Sequence, residues 1–312
     1  MPAGETATRV PRVFIAGDAC HTHSAKAGQG MNVSMAEAWN LGWKLAAVLR
    51  GAAPPELLHT YSEERQAVAE RLIDFDREFS RRFTARSTGS GEADPERVDP
   101  EEFQRYFTAQ GRFTAGVATR YGPSVITAQA TRLHLAEGFP VGMRFHSAPV
   151  IRLADAKRMH LGHAARADGA WRLYIFGDAL NPTDRRSQIY GLCEFLDSDA
   201  SPLRRFTPAV AEPDSVIDVR AIFQQGRRDL TIDEMPSVLL PRKGKFALID
   251  YEKMFCPDPE DDDIFDLRRV SRENGCVVVV RPDQYVSHVL ALDQHAALAD
   301  FFAGILIEAD SA

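Results

Sequence analysis

Residues 17–32 (GDACHTHSAKAGQGMN) constrain this chain more than any other stretch. They follow a short apolar run and lead into a long apolar pattern. Residues 12–16 (RVFIA) read as a short buried strand. From Asn32 to about Arg50, Val33, Met35, Trp39, Leu41, Trp43, Leu45 and Val48 cover much of a helical circumference. That predicts a helix buried on most sides, with Gly51 as its C-cap. The strand would deliver Asp18 to its C-terminal end. Gly28 and Gly30 let backbone approach a ligand closely. The helix then turns its unpaired N–H groups and positive dipole end toward the same space. This arrangement suits an electron-rich or anionic group, and a carboxylate at a strand end suits sugar-like hydroxyls. A second Gly-Asp-Ala, at Gly177, Asp178 and Ala179, also follows an apolar run. Asn181 and Pro182 come next instead of a glycine-rich loop, so that copy reads only as a turn.

The remainder divides in character. Pro54 and Pro55 open a second, longer helix with a stripe of Leu57, Tyr61, Val68, Leu72, Phe75, Phe79 and Phe83. It runs into a polar loop at 87–95. A third helix is expected over 101–119, and a short one after Pro123. From about Gly138, apolar runs at 171–176, 216–223, 246–250, 277–280 and 285–290 read as strands. Residues 188–196 and 295–307 read as helices. The expected domains are 1–137 and 138–312, the second a compact α/β unit. A net charge of −7 argues against a nucleic-acid or anionic-membrane partner, and no apolar run approaches the roughly 20 residues that span a bilayer. The first residues, MPAGETATRVPR, lack the apolar core of a signal peptide, so a cytoplasmic location is expected. Cys20, Cys193, Cys256 and Cys276 form no CxxC pair. They read as buried fillers rather than a zinc or dithiol site.

The 17–32 string resembles the second FAD-binding motif of the class A flavoprotein aromatic hydroxylases, in particular the phenol 2-monooxygenase and 3-hydroxybenzoate 4-monooxygenase group. Agreement continues at 40–45 (NLGWKL), 61–65 (YSEER), 74–76 (DFD) and 275–289 (GCVVVVRPDQYVSHV). The resemblance implies a partial FAD-binding domain of the p-hydroxybenzoate-hydroxylase type, mainly helical here, followed by a thioredoxin-like α/β domain for dimer contacts. It implies FAD as cofactor, NAD(P)H as co-substrate, a phenolic small-molecule substrate and a homodimer. Gly17 and Asp18 would hold the ribityl hydroxyls. The backbone of Ala27, Gly28, Gln29, Gly30, Met31 and Asn32 would hold the flavin ring. Ala25 and Lys26 would border the substrate pocket, and no catalytic residue is assigned. The family has proline where this chain has Ala25, and alanine permits more loop conformations. The family's opening Gly-x-Gly-x-x-Gly turn has no counterpart here. Two expectations follow: part of a monooxygenase hydroxylating a phenolic ring, or an inactive fragment or dimerisation module unable to bind FAD alone. No hydroxylase activity is expected of these residues by themselves.

Other features have plainer readings. His21 and His23 are too few for a metal, and no third ligand is evident nearby, so no metal is expected. Lys26 meets negative charge or lies at the surface, with equal weight. The acidic run Asp258, Glu260, Asp261, Asp262 and Asp263 reads as a solvated loop. Tyr61, Glu64 and Arg65 read as a structural anchor, and Trp39 and Trp43 as core.

Overall fold

The structure, a computed structural model, describes residues 9–24, 28–88 and 100–309. The chain forms two compact units: residues 1–45 with 55–120, and residues 46–54 with 121–312.

The described part of the first unit is helical, with α1 (Gly30–Leu49), α2 (His59–Thr88), α3 (Pro100–Ala109) and α4 (Gly111–Thr114). The strand expected at 12–16 does not form. Val13 and Ile15 are 86% and 56% exposed, because no described strand of this unit offers a ladder partner. The segment is held instead by Tyr61, whose hydroxyl donates to the Ile15 carbonyl at 2.8 Å.

Helix α1 is not buried on most sides. Met31, Met35 and Trp39 are exposed, so Trp39 is not core, whereas Trp43 is. The buried stripe, Val33, Glu37, Asn40, Trp43 and Lys44, is largely polar. A 3₁₀ turn (Pro55–Leu58) leads into α2, whose Leu72, Phe75 and Phe79 pack with Val33 and Phe113. The helix expected over 101–119 is broken into two. Gly116, at φ +71°, ends the second with its N–H on the Phe113 carbonyl and that of Val117 on Arg112. After Pro123 there is a Ser124–Thr127 bridge rather than a helix.

In the second unit, residues 121–137 join the later strands. Tyr121 N–H bonds the Gly142 carbonyl, Ala128 N–H bonds that of Ser287, and Ala136 bridges Val270. The elements are β1 (Pro149–Arg152), β2 (Arg158–His160), β3 (Trp171–Phe176), α5 (Gln188–Asp197), α6 (Pro202–Phe206) and β4 (Ile217–Ile222). They continue with β5 (Arg242–Lys243), β6 (Leu248–Ile249), β7 (Met254–Cys256), α7 (Ile264–Leu267), β8 (Cys276–Val280), β9 (Val286–Leu290) and α8 (His295–Ala303).

The main sheet runs β2-β1-β7-β4-β3-β8-β9. Within it, β4 lies parallel to β3, while β8 is antiparallel to β3 and β9 to β8. With helices between β3 and β4, between β4 and β8, and after β9, these four strands form the expected thioredoxin-like core. β3, β4 and β8 are buried along their whole length; β8 is accordingly an unbroken apolar run, whereas β3 and β4 also bury Arg172, Asp218 and Arg220, with both arginines paired to Asp218. The expected strand at 246–250 shrinks to β6, half of a two-residue hairpin turning through Gly244 (φ +69°) and Ala247 (φ +50°). Two residues of the acidic run are structural rather than solvated. Asp258 is 5% exposed and faces Arg158, and the Asp263 carboxylate caps α7 on the Phe265 N–H. Among the described residues, no helix is long and apolar enough to cross a membrane.

Candidate functional site

The glycine-rich segment is a loop between the 12–16 run and α1, pinned at both ends by acidic side chains from the helices. Gly17–Ala19 is a 3₁₀ turn, and Gly17 adopts φ +63°, which its missing side chain allows. Glu37, 1% exposed on α1, is the anchor of the first end. Its Oε2 accepts from Gly17 N–H at 2.8 Å and from His21 Nε2 at 3.1 Å. Arg65 Nη2 stands 4.0 Å from the other carboxylate oxygen. Asp76 on α2 anchors the second end, accepting from Ser24 N–H at 2.8 Å and Ser24 Oγ at 2.6 Å. Deeper along α1, Glu64 accepts from Asn40 and Lys44, each at 2.8 Å. Tyr61, Glu64 and Arg65 thus act as the expected structural anchor.

These anchors turn one carboxylate outward. Asp18 is exposed and bonds to no described residue. The loop returns through Gly28 at φ +65° to Gly30, the first residue of α1. Gly30 is buried under His23, and a Cβ there would lie 1.7 Å from the imidazole Cε1. A larger residue there would have to turn the His23 ring aside. Met31 and Asn32 are exposed, and the first turn of α1 carries no acidic residue that would satisfy its positive end. Gly17, Asp18, Gly28, Gln29, Gly30, Met31 and Asn32 therefore belong to one local structure. Ala25, Lys26 and Ala27 lie outside the described residues. An exposed carboxylate, a glycine-lined backbone and an open helix N-terminus fit the ribityl chain and the electron-rich edge of a flavin.

The structure also joins residues that sequence spacing did not. Donor atoms of Cys20, His21 and Glu37 lie within 4.8 Å of one another, so a third candidate ligand does stand beside His21. Glu37 is sixteen residues away and reaches the loop from a helix, which linear spacing conceals. The trio behaves as a hydrogen-bond hub. Cys20 Sγ donates to Glu37 Oε2 at 3.9 Å, and partial burial, then the Glu37 charge, push its thiol up. His23 stacks on His21 at 5.4 Å and does not join the trio. Burial likewise raises the Tyr61 hydroxyl to about 12, leaving it a donor.

Comparison with known proteins finds relatives for both units. Residues 119–310 match the phenol hydroxylase C-terminal dimerisation domain, and residues 5–76 match the FAD binding domain family. A 3-hydroxybenzoate 4-monooxygenase of Comamonas testosteroni is 56% identical over 95% of this chain and 46% of its own length. An FAD-dependent monooxygenase of Aspergillus terreus is 38% identical over 96% of this chain and 49% of its own. The solved flavin-dependent monooxygenase PieE, in complex with FAD and substrate, aligns with a TM-score of 0.56 at 21% identity. That alignment covers 94% of this chain and 46% of PieE, and shows a shared fold. The chain thus spans about half the length of the curated relatives it matches.

Proposed function

Because this chain belongs to the phenol hydroxylase family, whose C-terminal dimerisation domain covers residues 119–310, we propose that it is the flavin-ring side of an FAD- and NAD(P)H-dependent aromatic monooxygenase. Its substrate class is a phenolic ring of the phenol or 3-hydroxybenzoate type. The observation that carries this reading is the outward-facing Asp18 on a loop pinned by Glu37 and Asp76. When bound, FAD supplies the redox and oxygen chemistry. The residues of this chain supply its setting. Asp18 accepts hydrogen bonds from ribityl hydroxyls. The bare approach at Gly28 and Gly30 lets backbone reach the ring, and the N-terminus of α1 stabilises negative charge gathering at its edge. Glu37 and Asp76 hold these groups in place before ligand arrives. In this reading the first unit forms the FAD- and substrate-side segment, and the second unit, which takes in residues 121–137 as well as the expected 138–312, joins two copies.

FAD titration of the purified chain, read by flavin fluorescence, tests the reading. Saturable binding is expected, weakened about ten-fold or more in Asp18→Ala, which removes a charged acceptor. Equal affinity of the variant removes Asp18 from the site. A folded dimer by light scattering that never saturates with FAD supports the other assignment, a dimerisation module without cofactor.

A further inference from the structure

A cavity of about 360 Å³ lies within the second unit, far along the sequence from the flavin loop. Stacked rings form one wall. Phe145 lies 4.5 Å from Tyr174 at an interplanar angle of 9°, and Phe139 backs it at 4.9 Å and 1°. Among the described residues, no aspartate or glutamate lines the cavity, whereas three arginines do. Two of these are committed elsewhere: Arg172 to Asp168 and Asp218, and Arg281 to Asp283. The third, Arg166, is exposed, its side chain pairs with no described residue, and it borders both this cavity and a second pocket that carries Asp155, Asp250 and Glu252.

Two hydroxyls add to this one-sided character. Tyr174 is 1% exposed, yet its hydroxyl bonds to no described residue while its side chain borders the cavity. The hydroxyl opens onto the cavity and is free to donate there. Burial raises this hydroxyl to about 12, so at neutral pH it is a donor. Ser147 Oγ accepts from Gly162 N–H at 2.8 Å and keeps its own hydrogen to donate. The cavity therefore offers the edges of a stacked aromatic pair beside donors and an exposed cation at its border, with no carboxylate of its own.

We propose that this cavity binds a small aromatic carboxylate, its ring on the Phe145–Tyr174 wall and its anionic group on Arg166 and the Tyr174 hydroxyl. An inorganic anion would leave the aromatic wall unused. A neutral ring would leave Arg166 without a counter-charge. The site is built from residues of the second unit alone and does not depend on the flavin reading.

Isothermal titration of the full chain with benzoate, with benzyl alcohol as the uncharged comparison, tests this. Saturable binding of benzoate at one site per chain is expected, with benzyl alcohol much weaker. Tyr174→Phe keeps the ring stack and removes only the hydroxyl. Arg166→Ala removes an exposed cation. Each should weaken benzoate about ten-fold, the scale of one charge-assisted hydrogen bond. Asp18→Ala should leave the isotherm unchanged. Absence of saturation, equal binding of benzyl alcohol, or indifference to both cavity variants overturns the proposal. Loss of binding in Asp18→Ala also overturns it, by placing the anion at the flavin loop. Failure of the flavin reading shows instead in the FAD titration and leaves the benzoate isotherm intact.

Discussion

Removing the Glu37 carboxylate should loosen the whole 17–24 turn from α1. In Glu37→Ala, Gly17 N–H loses an acceptor at 2.8 Å, His21 Nε2 loses one at 3.1 Å, and Arg65 loses a counter-charge at 4.0 Å, all in a buried setting. Breaking a buried charge pair costs about 3–5 kcal/mol when the partner stays behind. The Arg65 contact is longer than a hydrogen bond, which puts it at the lower end. The lost bond from Gly17 to a charged acceptor is about 1.5–3 kcal/mol, but it shares the same carboxylate and does not add in full. A loss of about 3–4 kcal/mol from the first unit is the expected net. Glu37→Gln keeps the volume and one acceptor, and should lose about half of that. Urea unfolding followed by tryptophan fluorescence separates the units, since Trp39 and Trp43 report on the first and Trp171 on the second. A change below about 1 kcal/mol in Glu37→Ala, or equal changes in both variants, would refute the anchoring argument.

Three further outcomes follow from the geometry. Gly30→Ala places a Cβ 1.7 Å from the His23 ring, so it should lower FAD affinity several-fold by displacing the loop. The double variant with His23→Ala should recover most of that loss, which the same FAD titration reads. In the second unit, Asp214 is pushed up by burial but brought down to about 2 by bonds to Lys243 and Lys253. A carboxylate depressed on folding stabilises fully above its unfolded value near ~3.9 and loses that contribution as pH falls through its folded value. Acid unfolding of this unit should therefore steepen between about pH 4 and 2, and Asp214→Asn should flatten that window in a circular-dichroism titration. Among the four thiols, Cys193, Cys256 and Cys276 are buried, with burial raising each, Cys256 to about 12. Cys20 alone is exposed. A thiol-exchange assay on the folded chain should count one reactive cysteine, faster at high pH because its thiol is also raised, and four after unfolding.

Much of the second unit was legible because burial on both faces writes itself as apolar runs. Residues 171–176, 277–280 and 285–290 were readable for that reason, and their order allowed the thioredoxin-like core. The first unit was harder to read for two physical reasons. An apolar run such as 12–16 becomes a strand only with a ladder partner, which no local pattern reports. And α1 buries a polar stripe: Glu37, Asn40 and Lys44, spaced three and four apart, meet Gly17, His21, Glu64 and Arg65. Apolar periodicity counts such residues as outward. The usable signal was their own spacing along the helix, opposite Glu64 and Arg65 on the next one.

The two Gly-Asp-Ala copies show why this local detail bears on function. After β3, Asp178 is 4% exposed and turned inward, accepting from Ser187 Oγ at 2.6 Å and from Gln188 N–H at 3.0 Å. Its carboxylate is consumed in starting α5, as a helix cap is. In the first copy the corresponding work of fixing the turn falls to Glu37, which arrives from another element and takes the Gly17 N–H and His21. Asp18 is thereby left exposed and without a described partner. The same tripeptide closes a turn in one place and presents an acceptor to solvent in the other. What decides between them is whether a second acid relieves the first of its structural role. By that reasoning, a chain in which Glu37 is lost should draw Asp18 inward toward Gly17 and His21, and its FAD affinity should fall further than loop loosening alone would cause.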